Sequence, residues 1–148
     1  MAEDNKNLFN KKITHGSDNP YYVETKKQLD SVGKGFCLAK WTQVTLQLQT
    51  GHNHSCHHPR THKINLKEIE RNPSALHNTQ YKKIRRKEML DGKRPAECDY
   101  CWNVEDNSDR FSDRVFKSGE TWSKPHFDEI KNSDWRANIN PRYVEVAF

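Results

Sequence analysis

The residues best suited to chemistry are four cysteines, Cys37, Cys56, Cys98 and Cys101, the only ones in the chain. Cys98 and Cys101 form a Cys-x-x-Cys knuckle, which sets two sulfurs on one tight turn. Cys37 and Cys56 have residues 38–55 between them, too long a gap for a knuckle but natural for a strand–turn–strand excursion that brings its ends together. Four thiolates satisfy either a tetrahedral zinc or an iron–sulfur cluster, because soft sulfur suits zinc and iron alike. The spacing does not choose between the two metals. The plain alternative is a set of unrelated buried thiols, since free cysteine is commonly buried.

Composition favours the metal. Leu, Ile, Val and Phe make up 27 of 148 residues, below the roughly 20% at which chains struggle to build a core. The net charge of +5 is modest, and four Trp and five Tyr argue for packed structure. A structural metal closes loops where apolar burial cannot, because its binding free energy becomes folding free energy. Residues 2–12 are polar and no segment reaches the length of a membrane span, so the reading is an intracellular, cytoplasmic chain with reduced thiols and no membrane partner.

The cysteines must be positioned by the elements between and around them. Residues 1–19 read as a loose arm, anchored by Pro20-Tyr21-Tyr22-Val23, with 24–30 a short helical or extended lead-in and Gly33 and Gly35 punctuating the approach to Cys37. Val44, Leu46 and Leu48 alternate with polar residues, the period of a strand with one buried face. Residues 50–53 read as a turn and 54–58 as the returning strand. Asn65 with Glu68 three residues later predicts a capped helix, Asn72-Pro73 interrupts it, and Thr79 caps a second helix over 80–91 stopped by Gly92. A short helix is predicted from Ser112 to Gly119, an irregular stretch over 120–140, and a closing strand over 142–148. The fold class is α+β: a small β-hairpin plus helices around a four-cysteine metal site, with extended terminal segments. It divides into an N-terminal arm (1–35), a cysteine domain (36–106) and a C-terminal extension (107–148).

Phe36-Cys37-Leu38-Ala39-Lys40-Trp41-Thr42, then Ser55-Cys56, then Ile69-Glu70-Arg71-Asn72, Arg85-Arg86-Lys87-Glu88-Met89-Leu90-Asp91-Gly92 and Cys98-Asp99-Tyr100-Cys101-Trp102 with Glu105, stand in an order that resembles the twitch or SPASM-type auxiliary-cluster domain of radical S-adenosylmethionine enzymes. The likeness spans about Phe36 to Glu105. It implies an auxiliary 4Fe–4S cluster held by Cys37, Cys56, Cys98 and Cys101, with no open iron and hence a role in electron transfer or architecture. The Cys-x-x-x-Cys-x-x-Cys triad of the radical-generating core is absent from this sequence, so the resemblance implies a module that is not catalytic alone and that partners a radical core, with the closing strand similar to the first barrel strand of that core. Similar leading modules occur in phage-encoded proteins, which implies a viral source and the host cytoplasm.

Two further clusters carry competing readings. His52, His54, His57, His58 and His62 crowd around Cys56. His54, His57 and His58 are alternative ligands, one replacing Cys37 in a Cys3His zinc site, or outer partners that tune the centre through hydrogen bonds; the latter is favoured. An HNH-type nuclease has only the Asn53-His54 dipeptide behind it. Between Arg60 and Arg94 lie eleven Lys or Arg against four acids. Lys82, Lys83, Arg85 and Arg86 are its candidate basic surface, and the alternative function is a zinc-stapled module contacting nucleic acid through this face. A solvated helical face is favoured over it, because no aromatic ladder interleaves with the basic residues.

Overall fold

The computed structural model describes residues 18–148. Most of the arm expected over residues 1–19 therefore lies outside the described residues. The lead-in after the arm, expected to be short and either helical or extended, is a longer helix, α1 (Pro20–Val32). Its start is written in two residues: the Asn19 side chain accepts from the Tyr21 amide at 3.1 Å, and Pro20 occupies the first helical position. Thr25 and Leu29 are buried, and Tyr22 packs edge-on against Phe116 at 4.8 Å.

After one helical turn, α2 (Ala39–Thr42), the chain enters β1 (Gln43–Gln47), turns through Gly51 at φ 70° and returns as β2 (His52–His54). The hairpin pairs Thr45 with His54 and Gln47 with His52. The returning strand thus ends where the sequence predicts it to begin, and residues 55–59 are bends. β3 (His62–Lys63) adds to β2, and β4 (Tyr143–Ala147) adds parallel to β1 with Gln43 opposite Tyr143, giving the order β3-β2-β1-β4. This position alters the expected burial of β1. Gln43, Val44 and Thr45 are all buried while Leu48 is 55% exposed. One face carries Val44 and Leu46 beside Ile139 and Val144, the other Gln43 and Thr45 beside Trp122 and Tyr143.

The helical segments begin where the caps predict. In α3 (Leu66–Arg71) the Asn65 side chain accepts from the Lys67 amide at 2.9 Å, and in α4 (Gln80–Leu90) Thr79 accepts from Lys82 at 3.2 Å. Gly92 follows at φ 80°, the left-handed conformation common just past a helix end. α5 (Asp99–Asn107) carries the knuckle, α6 (Asp113–Ser118) lies between Ser112 and Gly119 as expected, and α7 (Phe127–Asn132) falls inside the stretch expected to be irregular. Asp134 and Trp135 then adopt φ 58° and 54°, which turns the Trp135 ring onto Phe36 at 5.0 Å and Trp41 at 5.6 Å. The protein is a mixed α+β structure with seven α-helices and a four-stranded sheet among the described residues, none of its helices long and apolar enough to cross a membrane.

One hydrophobic cluster joins Leu29 of α1, Phe36, Trp41, Met89, Trp102, Val115, Phe127 and Ile139. It runs across both expected boundaries, at 35/36 and 106/107, so the arm's helix and the C-terminal extension pack with the cysteine segments as one core. Beside it lies a buried polar set, which corrects the expected basic surface: Lys82 and Arg86 are 1% and 3% exposed. Lys82 Nζ reaches the Gln43 carbonyl at 3.2 Å and His77 Nδ1 at 2.9 Å. Arg86 donates to the Lys40 and Ala137 carbonyls and to Asn78 Oδ1 at 2.9–3.0 Å. Both stems fill interior space while their heads satisfy carbonyls near the α2–β1 junction.

This set makes two outcomes measurable. Replacing Arg86 with Met strands two buried acceptors, the Lys40 carbonyl and Asn78 Oδ1, at about 1–3 kcal/mol each, so urea unfolding should show a loss of at least about 2 kcal/mol. His77, buried beside Lys82 and Arg86, is held neutral, its pKa down to about 2 from an ordinary 6.5. The unfolded chain therefore takes up a proton before the folded one does. The stability this group contributes is complete above pH 6.5 and falls as the pH drops below it, by up to about 1.4 kcal/mol per unit. Urea midpoints between pH 7 and 5 should decline, and His77→Gln should flatten the decline; an unchanged slope refutes the assignment. His62, lowered to about 4 mainly by burial, acts in the same direction and leaves a residual slope.

Candidate metal centre

The segment before Cys37 is held by two devices. Gly35 lies so close to the strap leading to the knuckle that a Cβ there would overlap the Lys93 carbonyl group. Only glycine allows the approach to Cys37 and the approach to Cys98 to touch. From the other side, Ser118 Oγ accepts from the Leu38 amide at 3.0 Å and stands 3.7 Å from Cys37 Sγ.

Cys98 and Cys101 lie at the transition from a 3-10 turn (Ala96–Cys98) into α5, where the positive end of the helix dipole favours thiolate. Trp102 Nε1 donates to the Pro95 carbonyl at 2.8 Å and fixes this turn. Cys56 sits in the bends after β2. His54 positions it: Nδ1 donates to the Cys56 carbonyl and Nε2 meets Gln47 Nε2 at 3.1 Å. With both nitrogens engaged, His54 acts as a backbone brace rather than a ligand.

All four cysteines line a single cavity of about 20 Å³, together with Lys40, His58 and Arg114, and all four are free thiols. Burial, then the neighbouring Cys37, pushes Cys56 up to about 11. Burial pushes Cys98 and Cys101 up to about 12, with the other cysteines adding to it. These groups are thus neutral at physiological pH, and a metal would displace protons on binding. The surroundings pull the other way, toward the anion. The His58 amide favours charged Cys56, and the Arg114 amide favours charged Cys101. The buried Lys40 favours charged Cys98 and Cys56 while its Nζ lies 2.6 Å from Glu97 Oε1. Burial opposes the charge on Lys40, yet Cys98 and Glu97 keep its pKa raised. Raised thiol pKa values together with cations and amides aimed at sulfur fit a thiolate-bound metal.

The spacing of the sulfurs bears on which metal. Four thiolates on one zinc at about 2.3 Å stand roughly 3.8 Å from one another. Among the described residues, the set of three ligand-type side chains whose donor atoms fall within 4.8 Å of one another is His57, His58 and Asp113, and no three cysteines form such a set. As they stand, the cysteine side chains are not gathered as closely as one bound zinc would hold them.

Residue by residue, the structure brings Cys37, Cys56, Cys98 and Cys101 to one cavity with His58 at its wall, and leaves His57 exposed beside it. Of the basic residues, Lys83 and Arg85 are half-buried, with Arg85 paired to Glu88 at 3.2 Å and over the Tyr81 ring. Sequence reasoning misses Lys40, Glu97, Asp113 and Arg114. Lys40 and Glu97 carry a signal, each lying within three residues of a cysteine; Asp113 and Arg114 carry none. Comparison with protein-family models, curated proteins and solved structures finds no match for this chain.

The Gly35 contact gives a direct test of how the cavity is closed. Gly35→Ala should force apart the segments carrying Cys37 and Cys98 at a cost of about 1–3 kcal/mol, read as a lower melting temperature with weaker metal retention. Ala at this position with unchanged retention would show that the contact does not set the cavity.

Proposed function

We propose that the protein is an auxiliary iron–sulfur module, its cluster held by Cys37, Cys56, Cys98 and Cys101, that supports a radical S-adenosylmethionine enzyme through electron transfer or docking and is not catalytic alone. The observation that carries this reading is the convergence of four cysteines from three separate segments on one cavity. The chemistry of the donor set agrees with it, since soft thiolates suit iron–sulfur clusters and every protein position is filled by sulfur. The cluster would supply a one-electron redox couple. The chain's own residues would insulate it, with Trp102 and Ala39 walling the cavity, and balance its negative charge through Lys40 and Arg114. Docking has a surface of its own in β4, where Tyr143, Val144 and Val146 are 38–51% exposed on the outer strand of the sheet.

The test is anaerobic purification. The expected product is brown, with broad visible absorption, iron and sulfide in cluster stoichiometry, and an electron paramagnetic resonance signal on reduction. Cys37→Ala and Cys98→Ala should each lose the colour. Colourless protein that takes up one zinc per chain and refuses iron and sulfide would replace the cluster with a zinc staple.

A further inference from the structure

At the mouth of the cysteine cavity, three side chains outside the thiolate set converge on one point. His58 Nε2 donates to Asp113 Oδ2, and His57 Nε2 stands 3.8 Å from the same oxygen. The three donor atoms lie within 4.8 Å of one another. We propose that His57, His58 and Asp113 form a second, exchangeable site for a borderline divalent cation such as zinc, cobalt or nickel, separate from the four cysteines.

Neighbouring residues in a strand point their side chains to opposite faces, so two adjacent histidines do not converge by default. Here residues 55–59 are bends, and the two imidazoles sit with centroids 4.1 Å apart. Each ring is placed by a different device. His58 stacks on Tyr100 at 3.9 Å with planes 13° apart and is 15% exposed, whereas His57 is 62% exposed. A hydrogen bond explains the placing of His58 against Asp113. It does not explain His57, whose Nε2 is beyond hydrogen-bond reach of the carboxylate and has no other partner in the set. An ion does explain it: zinc ligands at about 2.0–2.2 Å stand roughly 3.3 Å apart, so closure needs only small shifts at three side chains. On binding, His58 changes from its Nε2–H to its Nδ1–H tautomer and offers the ion a lone pair. Two imidazoles and a carboxylate select borderline cations over the harder magnesium and calcium. The exposed side of His57 leaves coordination positions for water, the arrangement of an open rather than a closed site.

Cobalt(II) added to the purified, anaerobic protein tests this, because its spectrum reports the ligand type. One equivalent should bind with weak visible d–d bands and no near-ultraviolet sulfur-to-cobalt charge-transfer band. His57→Ala and Asp113→Asn should each weaken that binding at least tenfold, the lower end of what even outer partners cost a metal site. Circular dichroism and the iron and sulfide content of His57→Ala should stay at the parent values. Cobalt that shows strong sulfur charge transfer, or binding unchanged in His57→Ala, places the ion on the cysteines and overturns the proposal. No binding at millimolar cobalt overturns it as well. The iron and sulfide assay is independent of the cobalt spectrum, so failure of the cluster reading and failure of this one are told apart.

Discussion

The side chain of Arg114 is the tie on which the surroundings of the cysteines depend. Its Nη2 binds Asp30 of α1 and Glu105 of α5 at 2.8 Å each, Nε binds Glu105 again at 3.0 Å, and Nη1 takes the Phe36 carbonyl at 2.8 Å. Three segments distant in sequence are thereby fixed to one another immediately before Cys37. Burial opposes the charge, but Glu105 and Asp30 hold it firmly in place. A planar fork with donors in fixed directions can do this; a lysine, a point charge with three rotatable donors, cannot. Ion pairs of this kind owe their value to satisfied geometry more than to net energy, since desolvation offsets most of the attraction. The same residue reaches the cysteines through its backbone, with its amide facing Cys101 and its carbonyl 4.0 Å from Cys37 Sγ. Position and charge at the cavity are thus set together.

The scarcity of Leu, Ile and Val explains why cations are used in this way. The aromatic group of Phe36, Trp41, Phe127 and Trp135 is the dense part of the core. Beyond it, Lys82, Arg86 and Arg114 take interior positions that a richer chain would give to aliphatic residues. Each cation answers a carbonyl left over where helices meet strands, as Arg86 does for Lys40 and Ala137. A bound metal would complete this scheme by turning the buried thiols of Cys98 and Cys101 into ligands.

Much of the local structure is legible in the residues because its causes are local. Asn65 and Thr79 mark helix starts through side-chain caps, and Gly92 marks a helix end through its left-handed turn, each decided within a few residues. The convergence of Cys37 with Cys56 is also legible, since a hairpin imposes it. Helix α1 is harder to see, because its signal, Asn19 ahead of Pro20, serves equally well as the anchor of an arm. The inward turn of Lys82 and Arg86 is not legible at all. Nothing in Lys82-Lys83-Ile84-Arg85-Arg86 tells which cations will find carbonyls; that is decided by Gln43, Lys40 and Ala137, which are remote in sequence. Asp113 escapes for the same reason, being joined to His58 across more than fifty residues.

The division of labour among the histidines follows from this geometry. A histidine can replace a missing thiolate only if one nitrogen is free and faces the cavity. His54 spends both nitrogens bracing the hairpin, His62 gives its Nε2 to Thr79 and stacks on Tyr81, and His77 lies with Lys82 and Trp41 in the polar interior. Only His57 and His58 remain near the cavity, and Asp113 draws both outward. The donor atoms shared by the cavity's three converging segments are therefore sulfurs, while the imidazoles and carboxylate of His57, His58 and Asp113 gather at its mouth. A soft set of donors beside a borderline one would separate metals by ligand type and not by affinity alone, and Lys40, buried between Glu97 and the thiols, favours the anionic form of Cys98 and Cys56 against the burial that keeps them neutral.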